Sequence, residues 1–331
     1  MIKTKLKFIL LLIISVFLSP SSSLSSLPLN HKQHSLSLRK ISRLFLSPSS
    51  SSSSYHNNEK LILNSVKLDS SLSDAEKEAK LVPLYGAAKI AAIGLVAIEI
   101  PKLINKINVS QSLLVIYTYI IAAIACATLE SAALRTRLSG TTFKTLNIAL
   151  TTSVKFSLVM ASLAIWKYPI TTAMKTNYWF IIIQALLTIS PCMKALKLHN
   201  RSLVKSPRIS IIENSILGVG YLATSIHYFI QNFKILFLTK TTFPITYHSF
   251  GLFLVPAALL TLHDAANTDY KRLSSDTYKR LNLLVLIYAG TKFLIEYKTS
   301  GFNTSINFIA DLCATLFGLI GLIIGFIVKK K

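Results

Sequence analysis

The stretch LHDAANTDYKRL, which directly follows a long apolar run, combines carboxylates, an amide and cations within a few residues. Asp264, Asn267 and Asp269 are spaced so that the first two share one face of a helix leaving the apolar segment. Carboxylate and amide oxygens are ligands that suit Mg²⁺, and the neighbouring Lys271 and Arg272 suit a phosphate or diphosphate. The alternative is structural: an aspartate that caps a helix end beside solvated charges.

The elements that carry these residues are apolar enough to lie in a membrane. Of the 331 residues, 52% are hydrophobic and only 15% are charged, and several apolar runs approach the roughly 20 residues that span a hydrocarbon core. The sequence therefore predicts an all-α polytopic membrane bundle of eight transmembrane helices. The predicted spans are 86–104, 113–134, 145–166, 177–196, 211–230, 246–263, 281–297 and 305–328.

The charge distribution predicts how the bundle is oriented. The formal net charge of +23 comes from cations between the apolar runs, and no basic stripe interleaved with aromatic residues lies on a soluble segment. We therefore expect membrane lipids, and no nucleic acid, as partners. Cations concentrate in the loops after the second, fourth and sixth spans and at the C-terminus. The positive-inside rule then places both termini on the same, cation-rich side.

Residues 1–58 have the composition of a targeting sequence. A basic start and a short apolar core are typical of a signal peptide, and the Ser-rich, basic segment that follows is typical of a transit peptide, since the first acidic residue of the chain is Glu59. This order resembles the bipartite presequence of proteins that reach plastids through the secretory route. The presequence therefore predicts a plastid membrane, with the cation-rich side of the bundle facing the stroma. Residues 59–85, which follow it, are predicted to form a polar segment. The alternative is an ordinary secretory signal with a Ser-rich linker, and hence a secretory-pathway membrane.

Two polar stretches of the chain resemble each other. LESAALRTRLSGTTFKTLN, at 129–147, pairs with LHDAANTDYKRLSSDTYKRLN, at 262–282, through shared LxxAA and RLSxxTxKxLN patterns. We therefore predict two parallel four-helix repeats, 86–200 and 201–331, related by an axis along the membrane normal. Both polar turns would emerge on the cation-rich side and form a shared site. The alternative is a duplicated scaffold in which the turns only cap helices.

Two further elements, in their order along the chain, give it a resemblance to the UbiA superfamily of membrane prenyltransferases. ISPCMKALK, at 189–197, resembles that family's aromatic-Ser-Pro-x-x-Lys element, and ENSILGVGYLA, at 213–223, is similar to its GNxxLGxGY-type segment. The stretch that begins at Leu262 occupies the place of the second Asp-rich motif. The first such motif is reduced to Glu130, followed by SAALRTRLSG.

The resemblance implies a prenyltransferase in which Mg²⁺ ions grip a prenyl diphosphate and an aromatic or tetrapyrrole acceptor traps the allylic cation in an apolar chamber. It implies catalytic carboxylates at Asp264, Asp269 and Glu130. It implies metal ligands at Asp264, Asn267 and Asp269. The diphosphate ligands that it implies are Arg135, Arg137, Lys194, Lys271 and Arg272. Because the first motif is degenerate, binding without transfer is a second reading. The leading alternative is a non-catalytic transporter, lipid-binding or assembly protein.

Other polar residues within the spans are assigned structural roles. We predict that Lys155 pairs with Glu99, and that Lys292 and Glu296 reach the membrane surface. The histidines lack the spacing of a haem-binding bundle, and the cysteines lack a CxxC spacing, so neither haem, zinc nor a disulfide is expected. The three cysteines are Cys126, Cys192 and Cys313.

Overall fold

The protein is represented by a computed structural model that describes residues 73–105, 109–167, 172–199, 215–238, 242–268, 270–302 and 304–327. The predicted presequence lies outside these residues, as does Asp269. Over the described ranges the regular structure is entirely helical, which confirms the all-α prediction.

Each predicted span overlaps one long helix. A 3-10 helix, Tyr270–Ser274, connects the seventh and eighth α-helices. By length and composition, four described segments are able to cross a membrane: Asp74–Ile104, Val115–Leu134, Tyr178–Leu198 and Ile306–Ile327. The α-helices are α1 Asp74–Ala79, α2 Val82–Ile104, α3 Val109–Leu134, α4 Thr141–Lys167, α5 Thr172–Leu198, α6 Ile216–Leu238, α7 Thr242–Thr268, α8 Asp276–Ser300 and α9 Ile306–Ile327.

The short helix α1 is anchored at both of its ends. Ser73 caps it through a capping box with Glu76, which satisfies two backbone N–H groups that the first turn leaves unpaired. Near its end, the buried Glu78 carboxylate accepts a hydrogen bond of 3.2 Å from the backbone N–H of Leu138. The other oxygen of Glu78 lies 2.9 Å from His199 Nε2 at the end of α5. The segment predicted to be polar therefore contains a buried carboxylate that joins α1 to the α3–α4 turn and to the end of α5.

The helix α3 ends in a tight turn. The backbone N–H of Arg137 donates a hydrogen bond of 3.0 Å to the carbonyl of Ala132, which satisfies an oxygen that the helix end would leave unpaired. Thr136 takes a positive φ of 51° in this turn, a conformation that few non-glycine residues adopt. The turn delivers the chain to α4 within a few residues.

Helix α3 lies at the centre of the described bundle. It packs on its neighbours α2 and α4 and also on α7 and α8, which come from the second half of the chain. The other extensive contacts between long helices are α2 with α5, α4 with α5 and α7, α6 with α7 and α9, and α8 with α7 and α9. The interior of α3 is rich in alanine, and its residues from Ile121 to Ala127 are buried. Small side chains allow helices to approach closely inside a membrane bundle.

Two buried tyrosines make matching contacts in the two halves. The Tyr85 hydroxyl on α2 donates a hydrogen bond of 2.7 Å to Asn147 Oδ1 on α4. The Tyr221 hydroxyl on α6 donates a hydrogen bond of 2.5 Å to Asn282 Oδ1 on α8. Since Asn147 and Asn282 end the two similar sequence stretches, the same polar contact holds the first and third helices of each half together.

Candidate functional site

The predicted carboxylate Glu130 forms an ion pair on the first half. It stands near the end of α3, and its Oε2 accepts a hydrogen bond of 2.5 Å from Lys89 Nζ on α2. The two side chains are 20% and 25% exposed, so the pair lies at the edge of the bundle rather than in bulk solvent. Glu130 therefore helps to hold α2 on α3.

The predicted metal ligands Asp264 and Asn267 have different partners. Asp264 Oδ2 lies 3.8 Å from Arg272 Nη1. Asn267 Oδ1 instead accepts a hydrogen bond of 3.3 Å from Ser215 Oγ at the start of α6, and its amide group lies 3.3 Å from the ring nitrogens of His263. The Asn267 oxygen thus contributes to the packing of α7 on α6.

The turn between α3 and α4 meets the start of α8, directly after the turn between α7 and α8; we call the two turns, 135–140 and 270–275, the paired turns. Arg135, in the first turn, lies 3.6 Å from the carboxylate of Asp276, which begins α8. The hydroxyls of Thr142 and Tyr278 are 3.4 Å apart. The Arg272 guanidinium stands 5.9 Å from the centre of the Tyr278 ring. Polar residues of both halves are therefore linked at one end of the bundle.

Arg280, in the first turns of α8, adds a partly buried cation beside the paired turns. Its Nη1 donates a hydrogen bond of 2.9 Å to the carbonyl of Ala127 on α3. Burial lowers the pKa of the Arg280 guanidinium, and neighbouring Arg135 acts in the same direction, while the carboxylates of Asp276 and Glu130 oppose this shift. A guanidinium remains charged across the physiological range, so Arg280 contributes a permanent positive charge.

The remaining predicted ligands are placed less completely. Arg137 and Lys194 are exposed side chains, on the first turn and near the end of α5. Lys271 belongs to the 3-10 helix, but its side chain lies outside the described part of the structure, as does all of Asp269. Among described residues, three or more His, Cys, Asp or Glu side chains nowhere form a group that could hold a metal ion. The Mg²⁺ site therefore stays a prediction.

The charges predicted to pair inside the spans have other partners. Glu99 lies 2.6 Å from Lys102, one turn further along α2, whereas Lys155 is exposed on α4. The predicted ion pair between Glu99 and Lys155 is therefore wrong, because Glu99 forms its ion pair with Lys102 on the same helix. Lys292 is also not a surface residue: its side chain is 14% exposed and stands 3.5 Å from Asp311.

Four residues of this end were not predicted from the sequence, namely Glu78, Lys89, Asp276 and Arg280. A signal existed for Lys89, a single cation among small apolar residues at the start of a span, where an unpaired charge is expensive. Asp276 and Arg280 lie inside the repeated stretch, but their partners are in the other half of the chain.

Comparisons with protein-family models, curated proteins and solved structures give no match to this chain.

Proposed function

We propose that this protein is an integral membrane protein of the UbiA type and that its paired turns bind the diphosphate group of a prenyl diphosphate. The contact of the α3–α4 turn and α3 with the start of α8 carries the proposal. Because Arg135 meets Asp276 and Arg280 reaches back to α3, cations from both halves gather at one end. Arginine suits this role because its planar guanidinium can donate two parallel hydrogen bonds to a phosphate.

In this proposal all eight long helices cross the membrane as two parallel repeats, α2–α5 and α6–α9. The packing pairs support the arrangement, because α2 packs on α3 and α5 as α6 packs on α7 and α9, and α4 packs on α5 as α8 packs on α9. The contact of α4 with α7 has its counterpart in that of α8 with α3. The two tyrosine–asparagine bonds follow the same relation.

The anion would be held at the membrane surface with its chain among apolar side chains. Arg137 and Arg272 are exposed, so their guanidinium groups can turn toward a phosphate at the membrane surface. Bound Mg²⁺ would neutralise charge on the diphosphate. Among the described residues Asp264 would hold it, and the resemblance adds Asp269. Arg272 stands 3.8 Å from Asp264, which supports binding of the same diphosphate by this cation.

A second candidate is a lipid-binding or assembly protein that binds the anion without transferring the prenyl group. The ion pair between Lys89 and Glu130 favours it, since the first half offers a neutralised carboxylate where the family places a metal motif. Transport along a path lined by Lys155 and Glu99 loses its support, because Lys155 is exposed and Glu99 pairs with Lys102.

The test is ligand-dependent thermal protection of the purified protein in detergent. Geranylgeranyl diphosphate should raise the midpoint of unfolding, and inorganic diphosphate should do so less, because it lacks the apolar chain. The double substitution Arg135→Ala and Arg272→Ala should remove the protection, while Lys155→Ala, which alters an exposed cation on α4, should retain it. If geranylgeranyl diphosphate leaves the wild type unprotected, the proposed function is wrong.

Magnesium separates the two candidates. Protection that requires Mg²⁺, and that is lost in Asp264→Asn, would support the metal-dependent transferase. Protection that is equal with Mg²⁺ and with a chelator would support binding without catalysis. Product formation from an aromatic acceptor, followed by chromatography, then tests transfer itself.

We also propose a plastid membrane as the location, on the composition of residues 1–58. A fluorescent protein fused after residue 58 should accumulate in plastids of an alga with complex plastids. Retention of this fusion in the endoplasmic reticulum or its secretion would instead support the secretory-pathway alternative.

A further inference from the structure

A second polar group lies inside the bundle, far from the paired turns. Between Asp276 and Lys292 helix α8 rises about 24 Å. The Lys292 ammonium lies 3.5 Å from Asp311 Oδ1 on α9 and donates a hydrogen bond of 3.0 Å to Gln231 Oε1 on α6. Three helices of the second half thus meet at one ion pair.

Aromatic rings close this group, which we call the polar box: Tyr228, Gln231, Tyr288, Lys292 and Asp311. Lys292 Nζ stands 5.0 Å and 5.4 Å from the ring centres of Tyr228 and Tyr288, distances at which a cation is attracted to the ring faces. The Tyr228 hydroxyl donates a hydrogen bond of 2.6 Å to Asp311 Oδ1. The box is therefore built from several converging contacts.

The second oxygen of Asp311 has no such contact. The Asp311 side chain is 1% exposed, and within the described structure its Oδ2 is buried without a hydrogen-bond partner. Buried acceptors in folded proteins are nearly always paired, and a charged side chain at membrane depth costs at least about 2.5 kcal/mol. Since Oδ1 takes both protein contacts, Oδ2 is the oxygen at which a proton can bind without displacing either of them.

We propose that Asp311 Oδ2 is a proton-binding site. It takes up one proton from water to give a neutral carboxyl with its O–H on Oδ2, and the same proton returns to water on release. Lys292 keeps its charge, because the Gln231 oxygen and the two tyrosine rings still hold the ammonium, and Oδ1 keeps the hydrogen bond from Tyr228. A metal ion is excluded by the Lys292 ammonium, which occupies Oδ1 and repels a second cation.

One titratable residue, Glu296, interacts both with the polar box and with the connection between α8 and α9. Glu296, one turn beyond Lys292, accepts a hydrogen bond of 3.1 Å from Ser305 Oγ in this connection, and it interacts electrostatically with both members of the pair. Protonation weakens the attraction between Lys292 and Asp311, so proton binding is coupled to the packing of α8 on α9. The titratable groups around the box are His227 and Tyr228 on α6, Tyr288, Lys292 and Glu296 on α8, Cys313 on α9 and Tyr117 on α3.

Infrared difference spectroscopy tests this site on the purified full-length protein in lipid nanodiscs. Spectra in mildly acidic minus mildly alkaline buffer should contain the carbonyl band of a protonated carboxyl, shifted in D₂O. The band should vanish in Asp311→Asn and change frequency in Tyr228→Phe, which removes one hydrogen bond to the same carboxyl. Asp74→Asn, which alters an exposed carboxyl on α1, should leave the band unchanged.

Two results would overturn the proposal. The first is a wild-type spectrum without a protonated-carboxyl band, and the second is a band that persists in Asp311→Asn. Should Asp311→Asn not yield folded protein, Tyr228→Phe decides, because it keeps the ring and removes only the hydroxyl: an unmoved band then contradicts the site.

Discussion

At the residue scale, the two tyrosine–asparagine bonds are the clearest link between sequence and packing. Both asparagines are buried, and Asn282 also donates from its Nδ2 to the carbonyl of Tyr278 at 3.1 Å. A buried amide oxygen that loses its donor keeps its full desolvation cost. These bonds therefore specify how each half packs, beyond the apolar contacts around them.

Tyr221→Phe should destabilise the protein by about 1–3 kcal/mol, because it leaves Asn282 Oδ1 buried without this donor. Thermal unfolding in detergent measures the change. Tyr297→Phe is the matched control, since Tyr297 is 52% exposed and its loss of a hydroxyl should have little effect. Equal unfolding midpoints for both variants would contradict the assigned role of Tyr221.

A second residue-scale prediction concerns close helix approach. Gly218 faces the side chain of Asn267, and a Cβ at this position would collide with it. Gly218→Ala should therefore lower the unfolding midpoint by displacing α7 from α6. Gly94→Ala is the control: a Cβ there meets nothing within 4 Å, and alanine favours a helix interior by up to about 1 kcal/mol over glycine. An unfolding midpoint equal to that of Gly94→Ala would contradict the prediction that Gly218 is needed for the close packing of α7 on α6.

At the element scale, α1 stabilises the α3–α4 turn through a buried side chain. Its Glu78 carboxylate is the acceptor for the backbone N–H of Leu138 and lies against His199 on α5. The turn itself includes the positive φ of Thr136. A buried carboxylate from a neighbouring element thus supports a segment that carries two of the predicted diphosphate ligands.

Glu78→Ala should loosen this turn. Hydrogen–deuterium exchange, followed by mass spectrometry, should show faster uptake in peptides that cover residues 135–140, because the Leu138 N–H loses its acceptor. Asp74→Ala changes an exposed acid of the same helix, whose side chain is 77% exposed, and should leave the uptake of the turn unchanged. Slow exchange in both variants would mean that α1 does not support the turn.

At the scale of the whole molecule, the length of α8 sets the distance between the end of the bundle that holds the paired turns and the opposite end. Helix α8 begins beside Arg135 and has 25 residues, which span about 37 Å. This length exceeds the roughly 30 Å of a hydrocarbon core. In the proposed eight-span topology its two ends stand on opposite sides of the membrane.

Cysteine labelling tests this orientation. Single cysteines at Arg137 and at Lys298, both exposed, should react with a membrane-impermeant maleimide from opposite sides of sealed vesicles, in a background where Cys126, Cys192 and Cys313 are replaced by serine or alanine. Labelling of both positions from one side would contradict the proposed eight-span topology.

The sequence by itself determined the helical class, the approximate limits of the long helices and the similarity of the two polar stretches. These properties depend on local composition and spacing, which a single chain displays directly. The stretch from Leu129 and the stretch from Leu262 can therefore be matched by their residues alone. The start of α2 was predicted at residue 86 rather than 82, and this placed Tyr85 in a polar tail although it is fully buried.

Only the tertiary structure decided which charges meet. Glu130 pairs with Lys89, Asp264 with Arg272 and Lys292 with Asp311. Each partner lies on another helix or in a turn, and the path of the chain through a turn cannot be derived from the spacing of residues within one helix. An ion pair needs its two groups within about 4 Å, and sequence spacing gives that distance only along one helix. Between helices it depends on crossing and rotation, which the packing of small and large side chains sets for the bundle as a whole.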